Sequence, residues 1–428
     1  AAALERASEH PLGSAVVAAA TARGLSAGDA SGFEAMAGLG VSGKVQREDG
    51  MHDVAIGNQA LMDSRGADTS PLSGAAETAR REGATAIWVA VDDGLAGLIT
   101  VADPVKATTP EAIARLHEDG VRIVMVTGAA GSIGSELSRQ MATYDPIKLI
   151  LLDNNESGLH DLYTEMRAKY PEMELIPALV DITNRQAVYN IFNEYQPQVV
   201  FHAAAYKHVP MLELYPYESV RVNVGGTRNL AEAARDSQVE RFVMVSTDKA
   251  VDPSCVMGAS KRICELIVQA IAHQPGHDTL FTAVRFGNVI GSRGSVVPTF
   301  NRQIDQGGPV TVTHKRMTRY FMTIAEAVNL VLHAACLTEG RDLFMLRMGE
   351  VVRIVELAER MIRMRGLRPY EDVPIEFTGI RPGEKLHEKL RRDAEEEETT
   401  VHPHIMKLLA PGKMDHSAAF IETLNTLV

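Results

Sequence analysis

Cysteine is scarce in this chain: Cys255, Cys264 and Cys336 are the only three among 428 residues. None stands in a CxxC spacing, and the odd number suits a reducing cytoplasm and packed core thiols rather than metal ligands. Positive charge is also short. Lys and Arg number 43 against 55 Asp and Glu, for a formal net charge of −12, which argues against a nucleic-acid surface. No apolar run reaches about 18 residues, so no spanning helix is expected. The best segment, Ala86 to Ala102, is broken by Asp92 and Asp93. The first residues lack the basic-then-apolar pattern of a signal peptide. What remains is ordinary for a globular protein, 45% apolar and 23% charged, with length for two or three domains.

Against that background the stretch VRIVMVTGAAGSIG, residues 121–134, is distinctive. Val121 to Val126 form a β-branched run of buried-strand type. Gly128, Gly131 and Gly134 follow at once, and the segment from Ser132 to Met141 has a helical pattern. A tight turn, backbone free of Cβ atoms and free N–H groups at a helix start are what a dinucleotide pyrophosphate needs, so Gly128, Gly131, Ser132, Ile133 and Gly134 are candidate cofactor contacts. A second strand, Ile147 to Leu152, ends on Asp153, about 19 residues beyond the last glycine, where an acid for the ribose hydroxyls is expected. The expected cofactor is NAD rather than NADP.

Strand patterns recur near 121–126, 147–152, 175–180, 198–202, 240–246 and 280–285, with helical stretches between them, including 218–236 and 256–273. That alternation predicts a doubly wound parallel sheet, whose ligands bind at the carboxyl ends of the strands. Polar clusters fall there: Asp153, Asp181, His202 to Ala205, Ser246-Thr247-Asp248-Lys249, and Arg285 to Asn288. Residues before 120 read differently. Alternating Val and Ile stretches argue a small antiparallel sheet, Asp92-Asp93-Gly94 a hairpin turn, and Thr109-Pro110-Glu111 a helix start. The fold class is therefore α/β: a doubly wound parallel Rossmann sheet with a small C-terminal substrate-binding part, preceded by a separate α+β domain with an antiparallel sheet. The expected divisions are 1–119, 120–390 with the substrate part at about 287–390, and an acidic, solvated tail at 391–428.

Residues 1–119 resemble the nucleotide-binding domain of heavy-metal P-type ATPases. Ser8-Glu9-His10-Pro11-Leu12, Gly38-Leu39-Gly40-Val41, Gly57-Asn58 and Asp103-Pro104-Val105-Lys106 carry the likeness. It implies weak ATP binding through Glu9, His10, Gly38 and Gly40. No DKTGT precedes this stretch and no GDGxND follows it, so it is not expected to pump. Where those ATPases would continue VMVTGD, this chain continues AAGSIGSEL, as if two families were spliced on a shared strand-plus-TG string.

From about 121 to 411 the chain resembles the catalytic domain of bacterial nucleotide-sugar 4,6-dehydratases acting on UDP-N-acetylglucosamine, extended short-chain dehydrogenases/reductases of polysaccharide and glycan biosynthesis. The resemblance implies that Asp181 and Ile182 meet the adenine, and that Ala203 and Ala204 lie against the cofactor. Asp248 and Lys249 would serve the elimination, Lys249 as base at C5 and Asp248 as acid at the C6 hydroxyl. The YxxxK signature of the wider family reads Met257-Gly258-Ala259-Ser260-Lys261 here. Lys261 is in place, but the Met257 thioether has no ionisable proton. Thr247, relaying to Lys261 or water, is the candidate base for the C4 hydroxyl. Lys207, Asn288, Arg293, Ser295, Arg319 and Glu384 match sugar-nucleotide segments, with Arg293 and Arg319 expected on the UDP diphosphate. The implied partners are a UDP-sugar and further copies of the chain. A nucleotide-sugar epimerase, or an inactive chimera retaining only ATP binding, are the alternatives.

Overall fold

The computed structural model describes residues 1–6, 11–25, 28, 30–36, 39–47, 49–81, 85–101 and 123–409. The chain divides into two compact units, Ala1–Lys106 with Ile362–Arg368, and Ala107–Met361 with Pro369–Val428.

The first unit is built on a five-stranded antiparallel sheet whose order follows the chain. Its strands are β1 Ala30–Met36, β2 Gly40–Arg47, β3 Gly50–Gly57, β4 Thr85–Val91 and β5 Gly94–Val101. Asp92 and Asp93 join β4 to β5 with φ of 49° and 59°, the left-handed pair that a two-residue hairpin requires. Alternation along β4 sends Ile87 and Val89 into one apolar cluster with Leu4, Val54 and Ile56. Trp88 and Ala90 enter another with Leu61, Met62 and Ala76. Pro11 opens the helix Pro11–Ala22, where its missing N–H costs nothing. Of the expected ATP contacts, Glu9, His10 and Gly38 lie outside the described residues, as do the expected helix start at Thr109 and the joint itself. Gly40 is described, and a Cβ there would fall 2.1 Å from the Ile56 carbonyl oxygen, so β2–β3 pairing alone requires the glycine.

The second unit begins with β6 Ile123–Thr127, β7 Lys148–Asp153, β8 Glu174–Leu179, β9 Val199–His202, β10 Arg241–Val245 and β11 Leu280–Arg285. After these come β12 Asn288–Val289, β13 Val310–Val312, β14 Thr318–Met322, β15 Asp342–Leu346, β16 Val351–Arg353, β17 Ile375–Phe377, β18 Glu396–Thr399 and β19 Ile405–Leu409. The main sheet runs β18-β19-β15-β11-β10-β9-β6-β7-β8. Its pairs from β15 to β8 are parallel, whereas β19 and β18 are antiparallel. Strand order reverses between β6 and β9, the switch point where open sheets of this kind bind ligands.

Both faces of the sheet are covered. Val124, Val126, Leu149 and Leu151 pack under helices Ser132–Ala142, Glu156–Lys169 and Ile324–Leu337. Met125, Ile150, Leu152 and Val200 face helices Arg185–Tyr195, Gly226–Asp236 and Val256–Ala272. Cys255 and Cys264 are buried, Cys336 is half-buried, and none of the three is in a disulfide. No helix among the described residues is long and apolar enough to cross a membrane.

The segment 218–236 is helical throughout, with a π-helical turn, Val220–Gly225, before Gly226–Asp236. The π-turn carries the buried Asn223, which brackets Tyr206 by accepting from its N–H (2.8 Å) and donating to its carbonyl (3.0 Å). The substrate part is not all of 287–390, because Ile324–Leu337 and β15 belong to the central core. Two small sheets, β12-β14-β16 and β13-β17, make up its strands. Finally, 391–409 is no tail: β18 and β19 extend the main sheet, and although Glu396 to Glu398 are exposed as expected, Glu395, only 2% exposed, pairs with the fully buried Arg285. The rest of the expected tail, 410–428, lies outside the described residues.

Candidate functional site

The glycine loop sits at the switch point. Gly128 has a φ of 68°, and a Cβ there would lie 2.6 Å from the Ala204 nitrogen. A Cβ on Gly134 would lie 2.0 Å from the Gly128 carbonyl oxygen. One glycine thus permits the turn and its approach to the strand-end alanines, and the other lets helix Ser132–Ala142 start hard against the loop. Gly131 is that helix's N-cap and supplies no side-chain cap, so the first N–H groups have no partner within the helix. Uncapped donors at a helix start, beside a backbone too close for any Cβ, fit a pyrophosphate.

Asp153 ends β7. Its Oδ2 accepts from the Ala130 N–H (2.8 Å) and its Oδ1 from the Asn155 N–H (2.9 Å), so the acid also clamps the glycine loop. Asp181 accepts from the Thr183 N–H (2.9 Å), and Ile182 is buried against Gly226. Behind the loop His202 is fully buried between two threonine hydroxyls, Thr127 at 2.8 Å and Thr227 at 2.9 Å. Burial holds this imidazole neutral, well below its usual range, and the Lys261 charge adds to that effect.

A cavity of about 960 Å³ opens over the loop. It is lined by Gly131, Ser132, Ile133, Gly134 and Ala203 on the cofactor side, and by Thr247, Lys249, Met257 and Lys261 beneath. Asp248 is fully buried, and its Oδ1 accepts from the Thr247 hydroxyl and from Lys249 Nζ, both at 2.9 Å. Lys249 also donates to Asn288 Oδ1 at 3.1 Å. Of the two relays expected from Thr247, to Lys261 or to water, the first is corrected: the Thr247 hydroxyl is given to Asp248. Lys261 is 6% exposed and makes no hydrogen bond among the described residues. Burial lowers the pKa of its ammonium, against the opposing pull of Cys264 and Glu265. Met257 is buried against Leu212 and Cys255 with its side chain lining the cavity.

Asn288, Arg293, Ser295, Arg319, Glu384 and Lys207 all line this cavity, so the later segments do converge on the cluster. Lys207 and Arg293 are exposed cations at its rim. The Arg293 N–H donates to Ser132 Oγ at 3.1 Å, which ties the glycine-rich loop 290–295 to the cofactor-side helix. Ser295 Oγ is buried without a hydrogen-bond partner among the described residues. Arg319 differs from expectation. Its Nη1 donates to the carbonyls of Thr318 (2.7 Å) and Leu386 (3.2 Å), and its Nη2 lies 3.8 Å from Glu384. It pins the segment after Arg381 as a wall of the cavity, which limits its freedom to reach a diphosphate.

Two parts of the site escaped the sequence reading. Glu388 lines the cavity with its side chain 4% exposed; its only signal was its place four residues beyond Glu384. The other is a charge network behind the cluster. Arg285 donates to both oxygens of Glu265 (2.7 and 2.8 Å) and to Glu395 (2.8 Å), and Ser246, next to Thr247, donates to Glu265 at 2.6 Å. Its members lie far apart in the chain and make no local motif.

The comparisons with known proteins agree with this geometry. Residues 124–410 match the family model described as polysaccharide biosynthesis protein. Residues 1–145 match the model of haloacid dehalogenase-like hydrolases, so the two matches overlap at 124–145, across the glycine loop. The capsular polysaccharide biosynthesis protein CapD of Staphylococcus aureus is 49% identical over 297 residues, 69% of this chain and 48% of CapD. The probable polysaccharide biosynthesis protein EpsC of Bacillus subtilis is 48% identical over 327 residues, 76% of this chain and 54% of EpsC. The chain thus spans about half the length of these curated relatives. Among solved structures, Pen from Bacillus thuringiensis superposes with a TM-score of 0.62 at 31% identity, covering 68% of this chain and 90% of Pen. Through residues 124–410, the chain belongs to the polysaccharide biosynthesis protein family.

Proposed function

We propose that the second unit is an NAD-dependent 4,6-dehydratase of a UDP-N-acetylhexosamine, serving surface polysaccharide or glycan biosynthesis. The observation that carries this reading is Lys249 Nζ held between Asp248 and Asn288 in the cavity beside the glycine loop. An amine paired to a buried carboxylate suits proton removal from carbon, which dehydration requires and a simple C4 epimerisation does not.

A bound NAD supplies reversible hydride acceptance, from C4 and back to C6. The protein residues do the rest. The glycine loop and the helix start hold the pyrophosphate. Asp153 takes the ribose side, and its negative charge favours NAD over the 2′-phosphate of NADP. Lys261 holds the nicotinamide ribose. Thr247 receives the C4 hydroxyl proton and passes it to Asp248. Lys249 takes the C5 proton and later returns it, while Asp248 gives the proton it received to the departing C6 hydroxyl, which leaves as water. Met257 fills the place of the usual tyrosine and contributes shape alone. For the first unit we propose descent from a heavy-metal ATPase nucleotide-binding domain, retaining at most weak ATP binding.

Incubation with UDP-N-acetylglucosamine and NAD should yield a 4-keto-6-deoxy sugar nucleotide by NMR. A 4-epimer with its C6 hydroxyl intact would overturn dehydration in favour of epimerisation. Gly134→Ala should also weaken NAD binding. The added Cβ meets the Gly128 carbonyl at 2.0 Å, and relief of that clash must move the loop. Strain of about 1–3 kcal/mol translates into an affinity lower by roughly tenfold or more. Titration of NADH fluorescence reads it, and an unchanged dissociation constant would remove the pyrophosphate from this loop.

A further inference from the structure

The loop between β12 and helix Val296–Asp305 crosses from one side of the cavity to the other. Its ends are fastened. The Ile290 N–H donates to the Met322 carbonyl at 2.8 Å, and the Ser295 N–H to the Ser292 carbonyl at 3.0 Å. Between them Gly291 and Gly294 take φ of 78° and 69°, the left-handed geometry of a tight turn. Gly291, Arg293 and Gly294 are exposed, while Ser292 is buried beneath the turn and lines the cavity. On the cofactor side the Arg293 N–H donates to Ser132 Oγ at 3.1 Å, at the first residue of the helix whose uncapped start faces the glycine loop. On the opposite wall the Gly294 backbone lies against His208, where a Cβ would fall 2.5 Å from the imidazole Cε1. Residues 291–294 are therefore a strap with one foot on each side. Lys207 and Arg293 stand at its rim, and the Arg293 charge adds to burial in lowering the pKa of the Lys207 ammonium. Two cations that repel each other receive a diphosphate well, because the anion removes the repulsion and draws the Arg293 side chain inward.

We infer that the 291–294 strap couples two ligand sites through Ser132: a diphosphate held by Lys207 and Arg293 closes the strap on the cofactor-side helix and retains the dinucleotide. This rests on reading the glycine loop as the dinucleotide site and the cavity as a sugar-nucleotide site. The coupling suits the proposed chemistry, in which the hydride returns to the sugar that gave it. A reduced cofactor that escaped in mid-cycle would strand an oxidised sugar. Tying cofactor release to an empty substrate site prevents that loss. Such coupling is reciprocal, so the factor by which UDP tightens the cofactor is also the factor by which the cofactor tightens UDP.

The full chain is titrated with NADH by fluorescence, with and without saturating UDP, and with UDP by calorimetry, with and without saturating NADH. One hydrogen bond shifts an equilibrium by about two- to tenfold, so UDP should tighten NADH by about five- to tenfold, and NADH should tighten UDP equally. Uridine, which lacks the diphosphate, should leave NADH affinity within about twofold. Ser132→Ala removes the acceptor, and Gly294→Ala sets a side chain at a left-handed position against His208; each should cut the coupling to less than about twofold. The ratio with and without UDP cancels any change in basal NADH affinity. Gly294→Ala also lies outside the glycine loop, so it carries the test if Ser132→Ala binds no cofactor. An uncoupled parent, variants coupled as strongly as the parent, or uridine acting as well as UDP would each overturn the inference. A parent that binds no NADH, or no UDP, would bring down the corresponding site reading, and the role of the strap with it.

Discussion

Lys249→Ala is expected to lower formation of the 4-keto-6-deoxy product by about 10³-fold, within the range for losing a general base. The substitution removes the one cavity amine that is hydrogen-bonded to both Asp248 and Asn288. It leaves the Asp248 carboxylate with Thr247 alone and Asn288 Oδ1 without its donor. Substrate affinity should move little, because the rim cations Lys207 and Arg293 and the loop 290–295 are untouched. The loss should therefore fall on kcat, with KM changing less than about threefold, as when an interaction peculiar to the transition state is deleted. Lys249→Met, which keeps the volume of the side chain, should be as slow as the alanine variant. Steady-state kinetics with product quantified by NMR measures both. A loss below about tenfold would mean that another group takes the C5 proton.

The main sheet was readable because its signals are local. A β-branched run, three glycines at fixed spacing and an acid at the next strand end each sit within a few residues, and β6, β7 and Asp153 fall within a residue or two of where those patterns placed them. The Asp92-Asp93 hairpin was legible for the same reason, since two adjacent residues of left-handed tolerance suffice for it. What escaped depends on contacts between distant residues. In the charged run at 395–398 only Glu395 is withdrawn from solvent, because Arg285, more than a hundred residues earlier, lies beneath it. β19 carries a short apolar run that composition alone does not separate from a loose tail. The π-turn at 220–225 carries Asn223 to Tyr206, a pairing with no periodicity to announce it. In the site, Thr247, Lys249 and Asn288 are identifiable because strand ends are. Their hydrogen-bond partners are not, which is why the sequence points Thr247 to Lys261 or water and Arg319 to a diphosphate.

Arg285→Ala should be the most destabilising single change in the second unit. The Arg285 guanidinium has no exposed surface, and it lies between Glu265 and Glu395, whose side chains are 0% and 1% exposed. Breaking a buried pair by removing one partner costs about 3–5 kcal/mol, because the charge left behind has neither water nor counterion. Arg262 still reaches Glu265 at 2.8 Å and Arg392 reaches Glu395 at 3.0 Å, which places the expectation near the lower end of that range. The pH dependence gives a sharper test. Burial alone would raise both carboxyls, but the Arg285 hydrogen bonds and charge, helped by Arg262 at Glu265 and by Arg392 at Glu395, bring both below their usual range in the folded protein. A depressed folded pKa contributes stability that is fully present above the unfolded value of about 4.3 and is lost as pH falls through the folded value. In the variant the burial effect is released from its main opponent, so this contribution shrinks or reverses. The stability gap between parent and variant should thus be widest near pH 7 and narrow below about pH 4. The single tryptophan, Trp88, lies in the first unit and its fluorescence would miss the change, so hydrogen exchange of the β11 and β19 amides is the measurement. A gap under about 1 kcal/mol at pH 7, or one indifferent to pH, would show that Arg285 is packed as a neutral-behaving spacer instead of the counterion on which Ser246, and through it the Thr247-Asp248-Lys249 cluster, depends.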